Sequence, residues 1–153
     1  MGMIRVAILG QGRSGDLIHG AHLLRDGRFR VMAVCDRIPQ RRERGALAHG
    51  CEAVEDWRAI LDRRDVDLVV NALPSPHHAP VTAEFLRRGF NVLSEKPMAE
   101  TAKQAGEMAA AQAGGGKLFV FQQSRLAPYY RKVREIMDGG LLGRIVAVSI
   151  RFT

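Results

Sequence analysis

The chain reads as an α/β protein, a doubly wound parallel sheet with helices on both faces. Three observations predict this. Short, almost continuously apolar runs rich in Val, Ile and Leu recur along it, as in strands buried on both faces. Between them lie stretches with helical spacing and with helix start and stop signals. The first apolar run leads directly into Gly10-Gln11-Gly12-Arg13-Ser14-Gly15, and a helix-like stretch follows that loop.

Ile4–Leu9 is the first strand, and the loop after it has the Gly-x-Gly-x-x-Gly pattern of a Rossmann-type turn. Gly10 permits the tight turn, Gly12 lets the backbone approach a pyrophosphate, and Gly15 lets helix and strand pack closely. The helix that opens there offers unpaired N–H groups and a positive dipole end to phosphate. A plain glycine-rich turn would share the pattern, but the strand before, the helix after and the N-terminal position favour a dinucleotide. Leu17, Ala21 and Leu24 share one face of that helix. Phe29–Cys35 is the second strand and ends in Asp36, about 20 residues beyond the loop. A carboxylate there accepts the ribose hydroxyls of an adenosine and repels a 2′-phosphate; a turn or helix-cap aspartate is the ordinary alternative. Arg37 could stack on adenine or meet a 2′-phosphate. NAD is therefore favoured, and NADP stays open.

Pro39 suits the first turn of a helix running to about residue 48. Residues 51–54 form a short strand, and Asp56 can cap a brief helix carrying Trp57, Ile60 and Leu61. Residues 67–73 are the fourth strand, closed by Pro74-Ser75-Pro76, and a helix follows over 77–88. The fifth strand, 91–94, ends in Glu95-Lys96-Pro97. Thr101 and Gln104 make a capping-box signature, and Gly114-Gly115-Gly116 ends the helix it opens. Residues 117–122 are a sixth strand, and Pro128 opens a helix with Tyr129, Val133, Ile136 and Met137 on one face. In parallel sheets ligands sit at the carboxyl ends of the strands. Residues 10–15, Asp36, 74–78, 95–97 and 123–125 all fall at such ends and are expected to converge on one cleft.

The 153 residues suffice for one domain, and 46% hydrophobic with 25% charged residues is a globular rather than a disordered composition. No apolar run approaches the ~18 residues of a membrane span, and no secretory signal is evident. A cytoplasmic location is the default expectation. Cys35 and Cys51 give neither a disulfide framework nor metal spacing, so no metal is expected. A net charge of +7, with Arg37, Arg41, Arg42 and Arg44 clustered, raises the question of nucleic acid. No recognition-helix, zinc or RNA-binding signature accompanies the arginines, so neither nucleic acid nor membrane is expected as a partner.

The glycine loop, Asp36, Val66-Asp67, Pro74-Ser75-Pro76-His77-His78, Glu95-Lys96-Pro97, Arg125-Leu126-Ala127-Pro128 and Gly140-Leu141-Leu142-Gly143 occur in that order. Together they resemble the glucose–fructose oxidoreductase / inositol dehydrogenase / MocA family of dehydrogenases. The Glu-Lys-Pro tripeptide is the most specific element of the likeness. Ser75 and Gln123 depart from it, standing where the family often has Asn.

The resemblance implies an NAD(P)-dependent oxidoreductase that transfers hydride between nicotinamide and a hydroxyl or carbonyl of a sugar- or polyol-like small molecule. It implies Lys96 as the catalytic residue, beside the nicotinamide and assisting proton transfer. Pro97 forces Lys96 into an extended conformation, and in the family this Lys-Pro bond is often cis. In a partly desolvated cleft the charged form of a lysine is disfavoured, which suits such work. Cofactor contacts are implied for Gly10, Gln11, Gly12, Arg13, Ser14, Gly15, Asp36, Arg37, Leu73, Pro74, Ser75, His78, Glu95, Lys96 and Gln123, and a weaker substrate contact for Arg125. His78 is either near the nicotinamide ribose or a helix cap; His77 reads as a surface residue; Glu95 reads as a residue that orders the site through hydrogen bonds. A Tyr-x-x-x-Lys catalytic pair is excluded, since Val133 and Arg134 follow Tyr129 and Tyr130 at that spacing.

In the family a large antiparallel sheet follows and supplies most of the substrate pocket. Residues 1–124 then read as the dinucleotide-binding domain and 125–153 as a connecting helix with the first strand of an absent α+β substrate domain. Residues 144–153 alternate, with Val146, Val148, Ile150 and Phe152 on one face. The expectation is a truncated oxidoreductase that binds dinucleotide, and that forms a homo-oligomer or self-associates through this strand. A non-catalytic dinucleotide-binding module, or one completed by a partner, is the alternative.

Overall fold

The structure, a computed structural model, describes residues 2–151. Among them, six strands form one parallel sheet: β1 (Ile4–Leu9), β2 (Phe29–Cys35), β3 (Glu52–Val54), β4 (Leu68–Asn71), β5 (Asn91–Ser94) and β6 (Leu118–Val120). Their order in space is β3-β2-β1-β4-β5-β6. The order reverses between β1 and β4, which opens a crevice at their carboxyl ends. The helices are α1 (Ala21–Arg25), preceded by a wide, π-wound stretch over Arg13–Gly20, then α2 (Pro39–His49), α3 (His78–Arg87), α4 (Ala102–Ala111) and α5 (Pro128–Asp138). None of the described helices is long and apolar enough to cross a membrane.

Register is what positions the site. Leu9 pairs with Cys35 on one side and Asn71 on the other, and Asn71 pairs with Ser94. Four strands therefore end level, and the residues just past them, Gly10, Asp36, Ala72 and Glu95, lie along one edge of the sheet. Alternation along β1 explains its continuous apolarity. Ala7 and Leu9 enter the core shared with Phe85, Leu86 and Met108, whereas Val6 and Ile8 enter the core shared with Leu23, Val31 and Val34. Burying one of these larger side chains contributes about 1.5–3 kcal/mol. Phe85, wholly buried, packs against Trp57 and Phe90 with ring centroids 5.7 and 5.3 Å away.

Several expected boundaries shift. The face carrying Leu17 and Leu24 is exposed, at 68% and 60%, and His19, Gly20 and Leu23 turn inward instead. The π-wound turns advance the phase, so a 3.6-residue spacing counted from Leu17 loses the sheet. Asp67 precedes β4 rather than opening it, and its carboxylate takes both the Arg5 guanidinium, at 2.7 and 2.9 Å, and the Arg5 amide. The third helix begins one residue later, at His78, after a tight turn over Ser75–His77. The sixth strand is shorter than 117–122. The capping box is present: Thr101 Oγ1 accepts from the Gln104 amide, and Gln104 Oε1 accepts from the Thr101 amide.

The chain divides into two compact units, Met1–Phe121 and Gln122–Thr153. In the second, a tight turn over Gln123–Leu126 leads into α5, whose Tyr129, Val133 and Met137 are exposed. The strand expected over 144–153 has no ladder among the described residues, and Val146, Val148 and Ile150 are exposed. Alternation marks a face to bury, but a strand forms only beside a neighbour. Phe152 and Thr153 lie outside the described residues.

Candidate functional site

The glycine loop is shaped by three different constraints. Gly10 has φ +87°, and a Cβ there would stand 2.5 Å from the Ala72 carbonyl oxygen. A Cβ on Gly15 would stand 1.7 Å from the Gly10 carbonyl oxygen, so the helix is seated on the turn itself. Beside Gly12, by contrast, a Cβ would meet nothing within 4 Å. That open side, followed by the first-turn amides of a helix that have no upstream carbonyl to bond, is where an anionic group can lie against the backbone. The residues present thus fit a nucleotide diphosphate.

Asp36 is buried at the tip of β2 and holds the loop. Its Oδ2 accepts the Gln11 amide at 2.8 Å, and its Oδ1 accepts the Ile38 amide at 2.9 Å. Each oxygen keeps a further lone pair, so the carboxylate can still accept hydroxyls. Arg42 of α2 donates to the carbonyl oxygens of Asp36 and Arg37, at 3.3 and 3.1 Å, while Arg37 itself is exposed. The Gln11 side chain turns inward, against Gly45 of α2, and its Oε1 has no hydrogen-bond partner among the described residues. Gln11 is buried as a whole, and its backbone amide is taken by Asp36. Arg13 is exposed and Ser14 half-buried.

At the tip of β4, Asn71 is fully buried. Its amide nitrogen donates to Thr82 Oγ1 and the His78 carbonyl, at 3.0 and 3.2 Å, and its Oδ1 accepts the Leu73 amide. This ties down Leu73, Pro74 and Ser75. His78 is buried too, with Nε2 at 2.7 Å from the Leu73 carbonyl oxygen and Nδ1 at 2.7 Å from that of Pro97. Both carbonyls only accept, so the ring's protonation sets which bond is made. His78 is buried rather than a surface residue, and it latches the loop after β4 to the loop after β5. His77 is exposed.

At the tip of β5, Glu95 is buried and bridges two elements. Its Oε2 accepts the Lys96 amide at 3.0 Å, and its Oε1 lies 3.1 Å from His19 Nε2. Burial pushes the His19 imidazole below its ordinary value of 6.5, with Glu95 opposing that shift. The Lys96–Pro97 bond is cis. Lys96 is exposed, which corrects the expectation of a desolvated ammonium: the surrounding residues do not bury it. Gln123 and Arg125 lie, exposed, in the second unit. There Arg134 and Arg125 draw the Tyr130 phenol below its ordinary value.

Sequence reasoning missed His19 and Asn71. Asn71 had a readable signal, a polar residue inside an otherwise apolar run. His19 lies four residues past Gly15, a spacing that turns it with Gly15 toward the sheet.

A parallel sheet whose order reverses beside such a glycine turn, with a buried carboxylate ending the next strand, defines a Rossmann-type domain. Comparison gives the family. A model described as an oxidoreductase family with an NAD-binding Rossmann fold, GFO_IDH_MocA, matches residues 4–123, and the chain belongs to this family. It is 39% identical over 124 residues to a dTDP-3,4-didehydro-2,6-dideoxy-alpha-D-glucose 3-reductase of Streptomyces violaceoruber, covering 79% of this chain and 36% of that protein. It is 32% identical over 148 residues to an inositol 2-dehydrogenase of Rhizobium meliloti, covering 96% of this chain and 44% of that one. A solved 3-ketoreductase from Actinomadura kijaniata in complex with NADP superposes with a TM-score of 0.84 at 31% identity, over 93% of this chain and 46% of that one. The WlbA dehydrogenase from Bordetella pertussis, in complex with NADH and UDP-GlcNAcA, gives 0.84 at 28% identity, over 94% and 42%. The chain thus spans less than half the length of these relatives.

Proposed function

We propose that this chain supplies the coenzyme site and the proton-transferring lysine of an NAD(P)-dependent oxidoreductase acting on a sugar- or polyol-like alcohol or ketone. Bound nicotinamide would supply the hydride chemistry. The chain's own residues do the rest. Gly12 and the following amides hold the diphosphate, and Asp36 accepts the ribose hydroxyls, which favours NAD over NADP. Lys96 Nζ takes the hydroxyl proton as an alcohol is oxidised and returns it as a ketone is reduced. Leu73, Pro74 and Ser75 line the floor between them, and His78 and Glu95 fix the backbone of the two loops.

The level strand ends carry this reading. The register of β1, β2, β4 and β5 sets Gly10, Asp36, Ala72 and Glu95 side by side, the spread a dinucleotide needs. Titration of the chain with NADH and NADPH, followed by nicotinamide fluorescence, tests it. NADH binding at least tenfold tighter than NADPH is expected, and no binding of either by a folded sample overturns the proposal. The exposure of Lys96 favours a second reading, a dinucleotide-binding module that turns over nothing until other walls enclose its lysine. A polyol and sugar panel with either coenzyme separates the two, since binding without turnover supports the second.

A further inference from the structure

His19, unlike its partner Glu95, lies outside every motif used so far, yet the buried pair joins the two ends of the site. His19 belongs to the helix that opens at the glycine loop, and Glu95 to the tip of β5, 76 residues away in sequence. Both side chains are nearly inaccessible, at 6% and 5%. A carboxylate so buried is costly unless its oxygens are bonded. Here each oxygen has one donor: the Lys96 amide at 3.0 Å on Oε2 and the imidazole at 3.1 Å on Oε1. The ring is braced from its other side by Phe121, edge to face with centroids 4.6 Å apart. His22, on α1, is the other titratable neighbour and, like burial, lowers the His19 value. A neutral ring donates to Glu95 only as the Nε2–H tautomer.

We infer that His19 is the positioning residue of this site: by holding the Glu95 carboxylate it fixes the backbone from which Lys96 projects and couples that backbone to the phosphate-binding helix. The inference rests on the proposed role of Lys96, but its geometry does not. Without the imidazole, Glu95 Oε1 would be buried and unpaired, the carboxylate would turn toward solvent, and the Lys96 amide would lose its acceptor. Only direct contact by the coenzyme would then link the glycine loop to the tip of β5.

Amide hydrogen exchange and 1H–15N spectra of the labelled chain test this directly. In His19→Leu, which fills the space without a donor, Lys96 amide exchange should rise about tenfold, the factor carried by one charge-assisted hydrogen bond. In His19→Gln, which returns an N–H near the position of Nε2, it should stay within about twofold of the original chain. Unchanged exchange in His19→Leu, or no rescue by His19→Gln, overturns the inference. Should His19→Leu fail to fold, the original chain decides alone: long-range 1H–15N correlations must show His19 as the Nε2–H tautomer, and the Nδ1–H tautomer overturns the inference. Failure of NADH to bind would instead overturn the proposed function, leaving the exchange result to stand by itself.

Discussion

The two ends of the crevice are built by opposite means. Around β1 and β2 the site is backbone and steric exclusion: glycines where a Cβ would strike a carbonyl, and one carboxylate accepting two amides. Around β4 and β5 it is buried polar side chains latched to loops, Asn71 to Leu73 and His78, His78 to Pro97, and Glu95 to His19 and Lys96. The first arrangement suits a ligand common to many enzymes, a diphosphate and a ribose, recognised by groups every chain possesses. The second fixes the backbone at Lys96 while leaving its side chain exposed. Binding can thus be complete at one end of a crevice whose other end is only scaffolded.

Substitutions at the glycines should separate the components of the first end, with the largest effects. Gly15→Ala sets a methyl group against the Gly10 carbonyl, a backbone atom that cannot swing away. It should destabilise the fold by about 3 kcal/mol, at the upper end for overpacking, and abolish NADH binding with it. Gly12→Ala adds the same methyl to open space. Its unfolding free energy should stay within about 1 kcal/mol of the original, while NADH affinity falls at least tenfold. Urea unfolding beside fluorescence titration checks both. A stable Gly15→Ala variant, or a Gly12→Ala variant with undiminished affinity, would break the distinction.

At the second end, Lys96→Ala should leave coenzyme affinity within about threefold. It should lower any turnover by about a hundredfold or more, the range of general acid–base catalysis. Equal activity would remove Lys96 from the reaction. Asp36→Asn acts at the first end. The amide keeps one acceptor oxygen and presents an NH2 to either the Gln11 or the Ile38 amide, so one anchoring bond is lost. The ratio of NADH to NADPH affinity should fall by about tenfold, measured by parallel titrations, and an unchanged ratio would mean that Asp36 does not select the coenzyme.

The same contrast governs what could be read from the sequence. Steric needs leave glycines, and Gly10 and Gly15 are legible because no other residue fits where they stand. The strand pattern was legible because both faces are largely buried, so β1, β2 and β4 appear as nearly continuous apolar runs. Latches are another matter. His19–Glu95 and His78–Pro97 are long-range pairs whose partners are set by register, and no spacing announces them. Phase was lost where the helix after the loop winds more widely than an α-helix, which exposed Leu17 and Leu24 and buried His19. The alternation at 144–151 marked a face without naming the neighbour that would make it a strand.

The smallest expected effect concerns acid. The folded chain holds His19 and His49 below the ordinary 6.5, in both cases chiefly by burial. The unfolded chain therefore takes up protons on them that the folded chain resists. Their contribution to stability is fully present above pH 6.5 and is lost as pH falls through the folded values. Asp67, held at about 2 chiefly by its hydrogen bond from Arg5, acts in a lower window. It contributes above about pH 4 and loses that contribution as the pH approaches 2. Unfolding free energies measured from pH 7 to 5 should fall less steeply in His19→Gln than in the original chain. The same substitution should leave the decline below pH 4 unchanged. Identical slopes between pH 7 and 5 would mean that the imidazole beside Glu95 titrates alike in both states, and the latch at the Lys96 end would then be no drier than the surface.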